Sequence, residues 1–245
     1  MKKIIILLLI NICIVFLPTQ AFAQKRVPIL VYHSIDEYKG SGSQDLYVTP
    51  KNFETQIKYL RDHGFTLLTF ENWQDINHVD KPIFITFDDA YKNNINAFRV
   101  FQKLQNQSFK PKGTIFVISD FIGRSNRLTT DELKMMVKSG FISVQSHTAT
   151  HPDLTKISNY EKELKKSKEK IEQITGKPVI ALAYPYGKFN NKVVEETKKY
   201  YQYGLTTIPS PYVKSGIKNE MYYLPRIYVK YFTTLDEFAK IVEGA

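Results

Sequence analysis

The chain has 245 residues, of which 43% are hydrophobic, and a formal net charge of +10 at pH 7. This length suits a single α/β domain, and the hydrophobic content supports a real core. The only cysteine is Cys13. A disulfide within the chain and a thiol nucleophile in its later part are therefore excluded, so a metal there would need His, Asp or Glu ligands.

The N-terminus has the layout of a secretory signal peptide. Two lysines precede an apolar run from residue 4 to 17, and Ala21-Phe22-Ala23 offers a cleavage site. The alternative is an uncleaved membrane anchor, but the run is shorter than the ~20 residues that a spanning helix needs. We expect cleavage after Ala23, a secreted or cell-surface protein, and one domain over residues 24–245. The positive charge suits an anionic cell-wall or membrane surface, or merely solubility.

Patterns typical of strands alternate with patterns typical of helices along the rest of the chain. Short apolar runs predict eight strands, at residues 27–32, 66–70, 83–87, 114–118, 142–145, 179–184, 203–208 and 224–229. Amphipathic segments predict helices at about 50–62, 94–105, 130–139, 158–176, 190–200 and 235–242, the fourth with Ser158 as its N-cap. The alternation favours parallel βαβ units in a barrel-like sheet. An open doubly wound sheet is the alternative, but no glycine-rich phosphate loop follows any strand.

Two adjacent carboxylates, Asp88 and Asp89, directly follow the predicted strand 83–87. Barrel enzymes keep their chemistry at the C-terminal ends of strands. Carboxylates near a core are costly unless they are paired or bound to a metal. The pair therefore indicates a functional site, although a capping role at the following turn is an alternative.

Two histidines four residues apart follow the strand 142–145. His147 and His151 lie in a turn closed by Pro152, and this spacing can bring both imidazoles to one ion. The glutamate of a His-Glu-x-x-His protease helix is absent. Two solvated histidines would be the alternative if this motif stood alone.

A third motif, Ala183-Tyr184-Pro185-Tyr186-Gly187, follows the strand 179–184. Its proline and glycine restrict the backbone, so that a peptide N–H could point at a reacting oxygen. A simple strand-exit turn is the alternative.

Together and in this order, the three motifs resemble those of the polysaccharide deacetylase family, carbohydrate esterase family four, over about residues 27–230. The resemblance implies a distorted (β/α) barrel, a divalent metal that is usually zinc, and hydrolysis of N-acetyl groups on glycans. The opening segment 28–35, Pro-Ile-Leu-Val-Tyr-His-Ser-Ile, is similar to the branch that acts on poly-β-1,6-N-acetylglucosamine in biofilms.

The resemblance assigns roles to five residues. Asp89, His147 and His151 match the metal ligands, and Asp88 matches the catalytic base. Tyr186 matches the position whose backbone N–H binds the oxyanion. Two imidazoles and one carboxylate suit an open zinc site, which Co²⁺ could also occupy. The turn Tyr184, Pro185 and Tyr186 is also predicted to contact the substrate.

The chain departs from the family pattern at several positions. Ala90 replaces a glycine, which is harmless unless that position needs a positive φ. Ala183 stands where many members carry an arginine that orients the base. Arg226 could supply that charge from another strand, although a peripheral ion pair is equally compatible with the sequence. The tryptophan motif has no counterpart, since the only tryptophan is Trp73.

The late histidine that normally supplies the general acid is also missing, because no histidine follows His151. His33, at the end of the first predicted strand, is the candidate to replace it. Its ordinary pKa of ~6.5 suits an acid, and a nearby carboxylate would raise that pKa.

The sequence thus predicts a monomeric deacetylase of poly-β-1,6-N-acetylglucosamine with no nucleic-acid partner. A peptidoglycan N-acetylglucosamine or N-acetylmuramic acid deacetylase would use the same metal site. A non-catalytic glycan-binding protein is another alternative, since one motif is missing and another is altered. A glycosidase is disfavoured, because its two carboxyl groups must lie ~5–9 Å apart across a sugar, which adjacent residues rarely allow.

Overall fold

The structure is a computed structural model that describes residues 24–244. The predicted signal peptide therefore lies outside the described residues. Within residues 24–244, no helix combines the length and apolar character that crossing a membrane requires.

Eight strands form one sheet in which every pairing is parallel. They are β1 (Ile29–Tyr32), β2 (Phe65–Leu68), β3 (Lys81–Phe87), β4 (Gly113–Val117), β5 (Ile142–Ser146), β6 (Ala181–Ala183), β7 (Tyr203–Leu205) and β8 (Ile227–Tyr228). Their order across the sheet is β7-β6-β5-β4-β3-β1-β8, and β2 pairs with the first half of β3. Two pairs of two-residue strands lie outside it: Arg26–Val27 with Tyr212–Val213, and Ser34–Ile35 with Tyr47–Val48.

The two ends of the sheet approach each other through the segment before β8. The Leu224 N–H donates to the Gly204 carbonyl (3.0 Å), and the Thr206 N–H donates to the Leu224 carbonyl (2.8 Å). Because β8 itself pairs with β1, one stretch of chain touches both edges and curls the sheet. The distorted barrel that the sequence predicted is confirmed.

Helices follow most of the strands and cover the outside of the sheet. They are α1 (Pro50–Asp62), α2 (Asn94–Leu104), α3 (Thr130–Lys138), α4 (Ser167–Thr175), α5 (Asn191–Lys198) and α6 (Leu235–Glu243). The helix predicted to start at Ser158 differs: a π-helical segment, Glu161–Lys166, precedes α4, and the side chain of Asn159 accepts from the Lys162 N–H (3.1 Å). Gly176 ends α4 with φ 66°, a left-handed conformation that glycine adopts without steric cost.

Side chains that alternate along the strands build a separate core on each side of the sheet. The larger cluster joins the strands to the outer helices. The smaller cluster fills the barrel and includes Trp73, whose ring lies 5.3 Å from both Phe84 and Tyr203. The only tryptophan is thus a core residue below the sheet edge that carries the predicted motifs.

Candidate active site

The carboxyl ends of three strands bring the predicted residues together. Asp88 and Asp89 follow β3, His147 follows β5, and His33 follows β1. Because all these strands are parallel, their C-terminal ends share one edge of the sheet. His151 reaches the same place through the turn after His147.

Asp89, His147 and His151 form a group that fits a metal ion. Each offers one ligand atom, and the three atoms lie within 4.8 Å of one another. Asp89 Oδ1 is 3.7 Å from Nε2 of each histidine. That oxygen is buried without a hydrogen-bond partner, while the two Nε2 atoms are 3.1 Å apart. An orphaned carboxylate oxygen beside two facing imidazole nitrogens is the arrangement that a bound cation would satisfy.

A backbone carbonyl sets the orientation of the buried ligand His147. Its Nδ1 lies 2.8 Å from the carbonyl oxygen of Ala183. An Nδ1–H donated to that oxygen leaves Nε2 as the free ligand atom, which is the usual outer contact of a metal-binding histidine. Ala183 lacks the arginine side chain that many polysaccharide deacetylases carry at this position, but its backbone carbonyl still orients His147.

Asp88 is held by a buried arginine. Arg226 is fully buried, and its Nη1 and Nη2 donate to Asp88 Oδ1 and Oδ2, both at 2.7 Å. Nη1 also donates to Thr86 Oγ1 (3.2 Å) and Nε to the Thr206 carbonyl (2.9 Å). Burial alone would raise the pKa of Asp88, but Arg226 and His147 outweigh it and hold that pKa well below its usual range. Of the two alternatives left open for Arg226, the structure shows the buried pair.

Left-handed backbone conformations concentrate at these strand ends. Among the described residues, the non-glycine residues with positive φ here are Asp89 (69°), Ala90 (51°), Thr148 (67°), His151 (63°) and Tyr186 (59°). Such conformations cost on the order of 1–3 kcal/mol each and persist only where the surroundings enforce them. The condition stated for Ala90 is therefore met, because its position does use a positive φ.

His33 lies close enough to Asp88 and Asp89 for their charges to affect its pKa, but the net shift of that pKa is opposite to the expected one. Its ring stacks on Tyr228, with centroids 5.7 Å apart and planes 7° from parallel. Burial lowers the pKa of His33, and the nearby Asp88 and Asp89, which act in the opposite direction, do not compensate. The expectation of a raised pKa was wrong, because desolvation of the imidazolium outweighs the carboxylates.

The aromatic turn after β6 divides between core and surface. Tyr184 is fully buried, with its hydroxyl donating to the Tyr222 carbonyl (3.2 Å), and Pro185 is buried as well. The prediction that these two residues contact the substrate was wrong, since neither presents a face to solvent. Tyr186 is 62% exposed, and its ring meets that of His151 edge-to-face at 4.6 Å.

Three residues that were assigned no role from the sequence also contribute to the site. Thr86 accepts from Arg226, Tyr228 stacks on His33, and the buried Glu163 accepts from the backbone between the two histidines. A threonine on a strand and a tyrosine at a strand end carry no distinctive pattern. Glu163 lies in a lysine- and glutamate-rich helix, where an exposed charge is the ordinary expectation.

Sequence comparison shows which known proteins this chain is similar to. The profile of the polysaccharide deacetylase family matches residues 75–206. The protein YxkH of Bacillus subtilis (strain 168), assigned to the polysaccharide deacetylases, is 32% identical over 228 residues, which cover 89% of this chain and 77% of that protein. A poly-β-1,6-N-acetyl-D-glucosamine N-deacetylase of Staphylococcus aureus (strain MRSA252) is 27% identical over 203 residues, covering 74% and 67% of the two chains.

A solved structure agrees over the whole described fold. The crystal structure of a polysaccharide deacetylase from Bacillus cereus superposes with a TM-score of 0.88 at 55% sequence identity. The match covers 89% of this chain and 69% of that one. The barrel fold therefore recurs in a solved polysaccharide deacetylase.

Proposed function

The chain belongs to the polysaccharide deacetylase family and is an enzyme that hydrolyses amide bonds, and within that family we propose that it deacetylates poly-β-1,6-N-acetylglucosamine, releasing acetate. The observation that carries the deacetylase reaction is the convergence of Asp89, His147 and His151 beside the Asp88–Arg226 pair. The relative from Staphylococcus aureus, named for this glycan, supports the choice of substrate.

Asp89, His147 and His151 would hold a divalent metal, for which we propose zinc, with cobalt as a functional substitute. Three N and O ligands are typical of catalytic zinc sites, which keep one position open. An ion bound there would supply a Lewis acid that polarises the acetamide carbonyl and acidifies water. Apart from the attacking water, the other roles in the reaction are assigned to the chain's own side chains and backbone.

Asp88 is proposed as the general base that takes a proton from the attacking water. Its Oδ2 is 3.9 Å from Nε2 of His147, which puts the carboxylate next to the ligand cluster. Arg226 holds both carboxylate oxygens in a fixed plane and keeps the group ionised. A base fixed in this way needs no reorganisation when the water attacks.

The remaining proton and charge are assigned to two other strand ends. The negative oxygen that forms as water adds to the acetamide carbon needs a donor, and the backbone N–H of Tyr186 in the left-handed turn is proposed for it. The departing amine needs a proton as the C–N bond breaks. We assign that proton to His33 at the end of β1. Because burial lowers its pKa, the ring would first have to take up a proton, such as the one that Asp88 removes from water, and then pass it to the amine.

A panel of defined oligosaccharides tests the substrate. Acetate release is measured on β-1,6-linked N-acetylglucosamine oligomers, on β-1,4-linked ones and on peptidoglycan fragments, before and after chelation. The proposal expects preference for the β-1,6 series, loss of activity after chelation, and recovery with zinc or cobalt. Preference for peptidoglycan fragments would instead support the alternative function, a peptidoglycan deacetylase. Zinc binding without acetate release from any glycan would indicate a binding protein.

We further propose that the protein is exported by the segment 1–23 and acts at the cell surface. The basic start, apolar run and Ala21-Phe22-Ala23 support this. N-terminal sequencing of secreted material is then expected to begin at Gln24. Recovery of the full-length chain in the membrane fraction alone would indicate an anchor instead.

A further inference from the structure

The loop between the two histidine ligands is strained and carries one of them. Thr148 and His151 have φ values of 67° and 63°, and the His151 N–H donates to Thr148 Oγ1 (3.0 Å). Such a loop relaxes to a more ordinary conformation unless contacts from elsewhere hold it. The position of His151 therefore depends on whatever holds this loop.

The loop's carbonyls accept from the backbone N–H groups of Ser119 and Asp120 (both 3.0 Å), and the N–H groups and hydroxyl midway along it are held by the side chain of Glu163. Its Oε2 accepts the backbone N–H groups of Ala149 (3.1 Å) and Thr150 (2.8 Å), and its Oε1 accepts the Thr150 hydroxyl (2.8 Å). The Ala149 N–H also lies 3.1 Å from the Glu163 backbone carbonyl. Both oxygens of one carboxylate thus bind the two residues midway between the ligands.

The burial of Glu163 has no counter-charge to explain it. The residue is 5% exposed, and within residues 24–244 no Lys, Arg or His nitrogen lies within 4.0 Å of its carboxylate. A buried carboxylate is costly unless hydrogen bonds compensate it. Here all the donors come from the histidine loop. Glu163 also sits in the π-helical segment Glu161–Lys166, a local irregularity that is frequent at functional sites.

We propose that Glu163 is a positioning residue of the metal site: it fixes the loop so that His151 meets Asp89 and His147. The inference rests on the proposed metal-dependent function. Glu163 touches neither ligand side chain, so its effect is on metal affinity and ligand geometry. Residues that orient ligands from outside the first coordination sphere typically change metal affinity by ~10–100-fold when replaced.

Three substitutions separate reach, charge and shape. Glu163→Ala removes every side-chain contact to the loop and leaves only the backbone carbonyl beside the Ala149 N–H. Glu163→Asp keeps the charge but shortens the side chain by one methylene, so the carboxylate no longer reaches both N–H groups. Glu163→Gln keeps the shape, because one amide oxygen can still accept both N–H groups and the amide NH₂ can donate to the Thr150 hydroxyl.

The matched control is Glu220→Gln. The Glu220 carboxylate also accepts two backbone N–H groups, those of Ser215 (2.9 Å) and Gly216 (2.7 Å), but in a loop that carries no ligand. The readouts are zinc affinity, by competition with a chromophoric chelator, and the visible absorption of the cobalt-substituted protein. Neither readout requires turnover.

The alanine and aspartate variants are expected to bind zinc ~10–100-fold more weakly with an altered cobalt spectrum. The glutamine variant should stay within ~5-fold of wild type, since it retains the hydrogen bonds, and Glu220→Gln should change neither readout. Wild-type affinity and spectrum in Glu163→Asp would overturn the inference even if Glu163→Ala failed to fold. A wild-type protein that bound no zinc would instead contradict the proposed function, and this inference with it.

Discussion

Replacing Arg226 with lysine keeps a positive charge beside Asp88 but removes the planar fork that holds it. The guanidinium donates to both oxygens of Asp88, to Thr86 and to the Thr206 carbonyl. A lysine ammonium is a compact donor and cannot hold two carboxylate oxygens in one plane while also reaching the carbonyl. At least two of these buried contacts are therefore lost.

The expected cost follows from burial and charge. Hydrogen bonds to charged groups contribute about 1.5–3 kcal/mol each to stability, so losing two costs ~3–6 kcal/mol. The positive charge that lysine keeps beside Asp88 offsets part of this loss, so Arg226→Lys should lower the free energy of unfolding by ~2–4 kcal/mol. Arg226→Met removes the partner altogether and leaves a buried carboxylate, for which ~3–5 kcal/mol is typical. Adding Asp88→Asn to Arg226→Met removes the unpaired charge and should recover part of that loss.

Urea unfolding of the chelated proteins measures these differences without a contribution from metal. Trp73 is the only tryptophan and packs inside the barrel against Phe84 and Tyr203. Its fluorescence therefore reports the unfolding of the barrel in which Arg226 is buried. A loss below ~0.5 kcal/mol for Arg226→Lys would refute the reasoning. A double variant no more stable than Arg226→Met would also refute it, because the penalty would then not come from the unpaired carboxylate.

Four further substitutions test the remaining assignments. Asp88→Asn should lower turnover by ~10²–10⁴ with metal retained, whereas Asp89→Asn should weaken metal binding; equal metal loss in both, by metal analysis, would contradict the division of roles. His33→Ala should keep zinc and fold but lose ~10²-fold in turnover, and near wild-type rates would remove His33 from the mechanism. Ala90→Gly should raise the free energy of unfolding by ~0.5–1 kcal/mol by relieving its positive φ; a less stable variant would show that the strain relieved is smaller than the cost of the added backbone freedom.

The periodic parts of the fold were readable from the sequence because they depend on local patterns. Buried parallel strands are largely continuous apolar runs, and the predicted strand 83–87 lies within β3 (Lys81–Phe87). The last strands were predicted too long, as at β8 (Ile227–Tyr228), which the sequence placed within 224–229. Just before β8, the chain bonds to β7 through Leu224 rather than to β1. This contact is long-range, and no local pattern encodes it.

The sequence predicted the site residues that directly follow a strand. It predicted less well the properties that depend on burial. Asp89, His147 and His151 converge as their positions at strand ends suggested. Tyr184 stands in the same motif as Tyr186, yet Tyr184 leaves the strand facing the core, whereas Tyr186 lies in the left-handed turn that follows and is exposed. The pKa of His33 depends on how much water reaches the ring, which only the three-dimensional packing determines.

The backbone conformation at Asp88 and Asp89 explains how two adjacent carboxylates have different partners. The Asp88 N–H still bonds to the Tyr32 carbonyl (2.9 Å), so Asp88 continues the sheet and meets Arg226 in the barrel interior. At Asp89 the chain turns left-handed, with φ 69°, and the second carboxylate lies beside the histidines. Two neighbouring carboxylates would repel each other if both faced the same partners. The turn gives one an arginine and leaves the other free for a metal, so one dipeptide can provide both a base and a ligand.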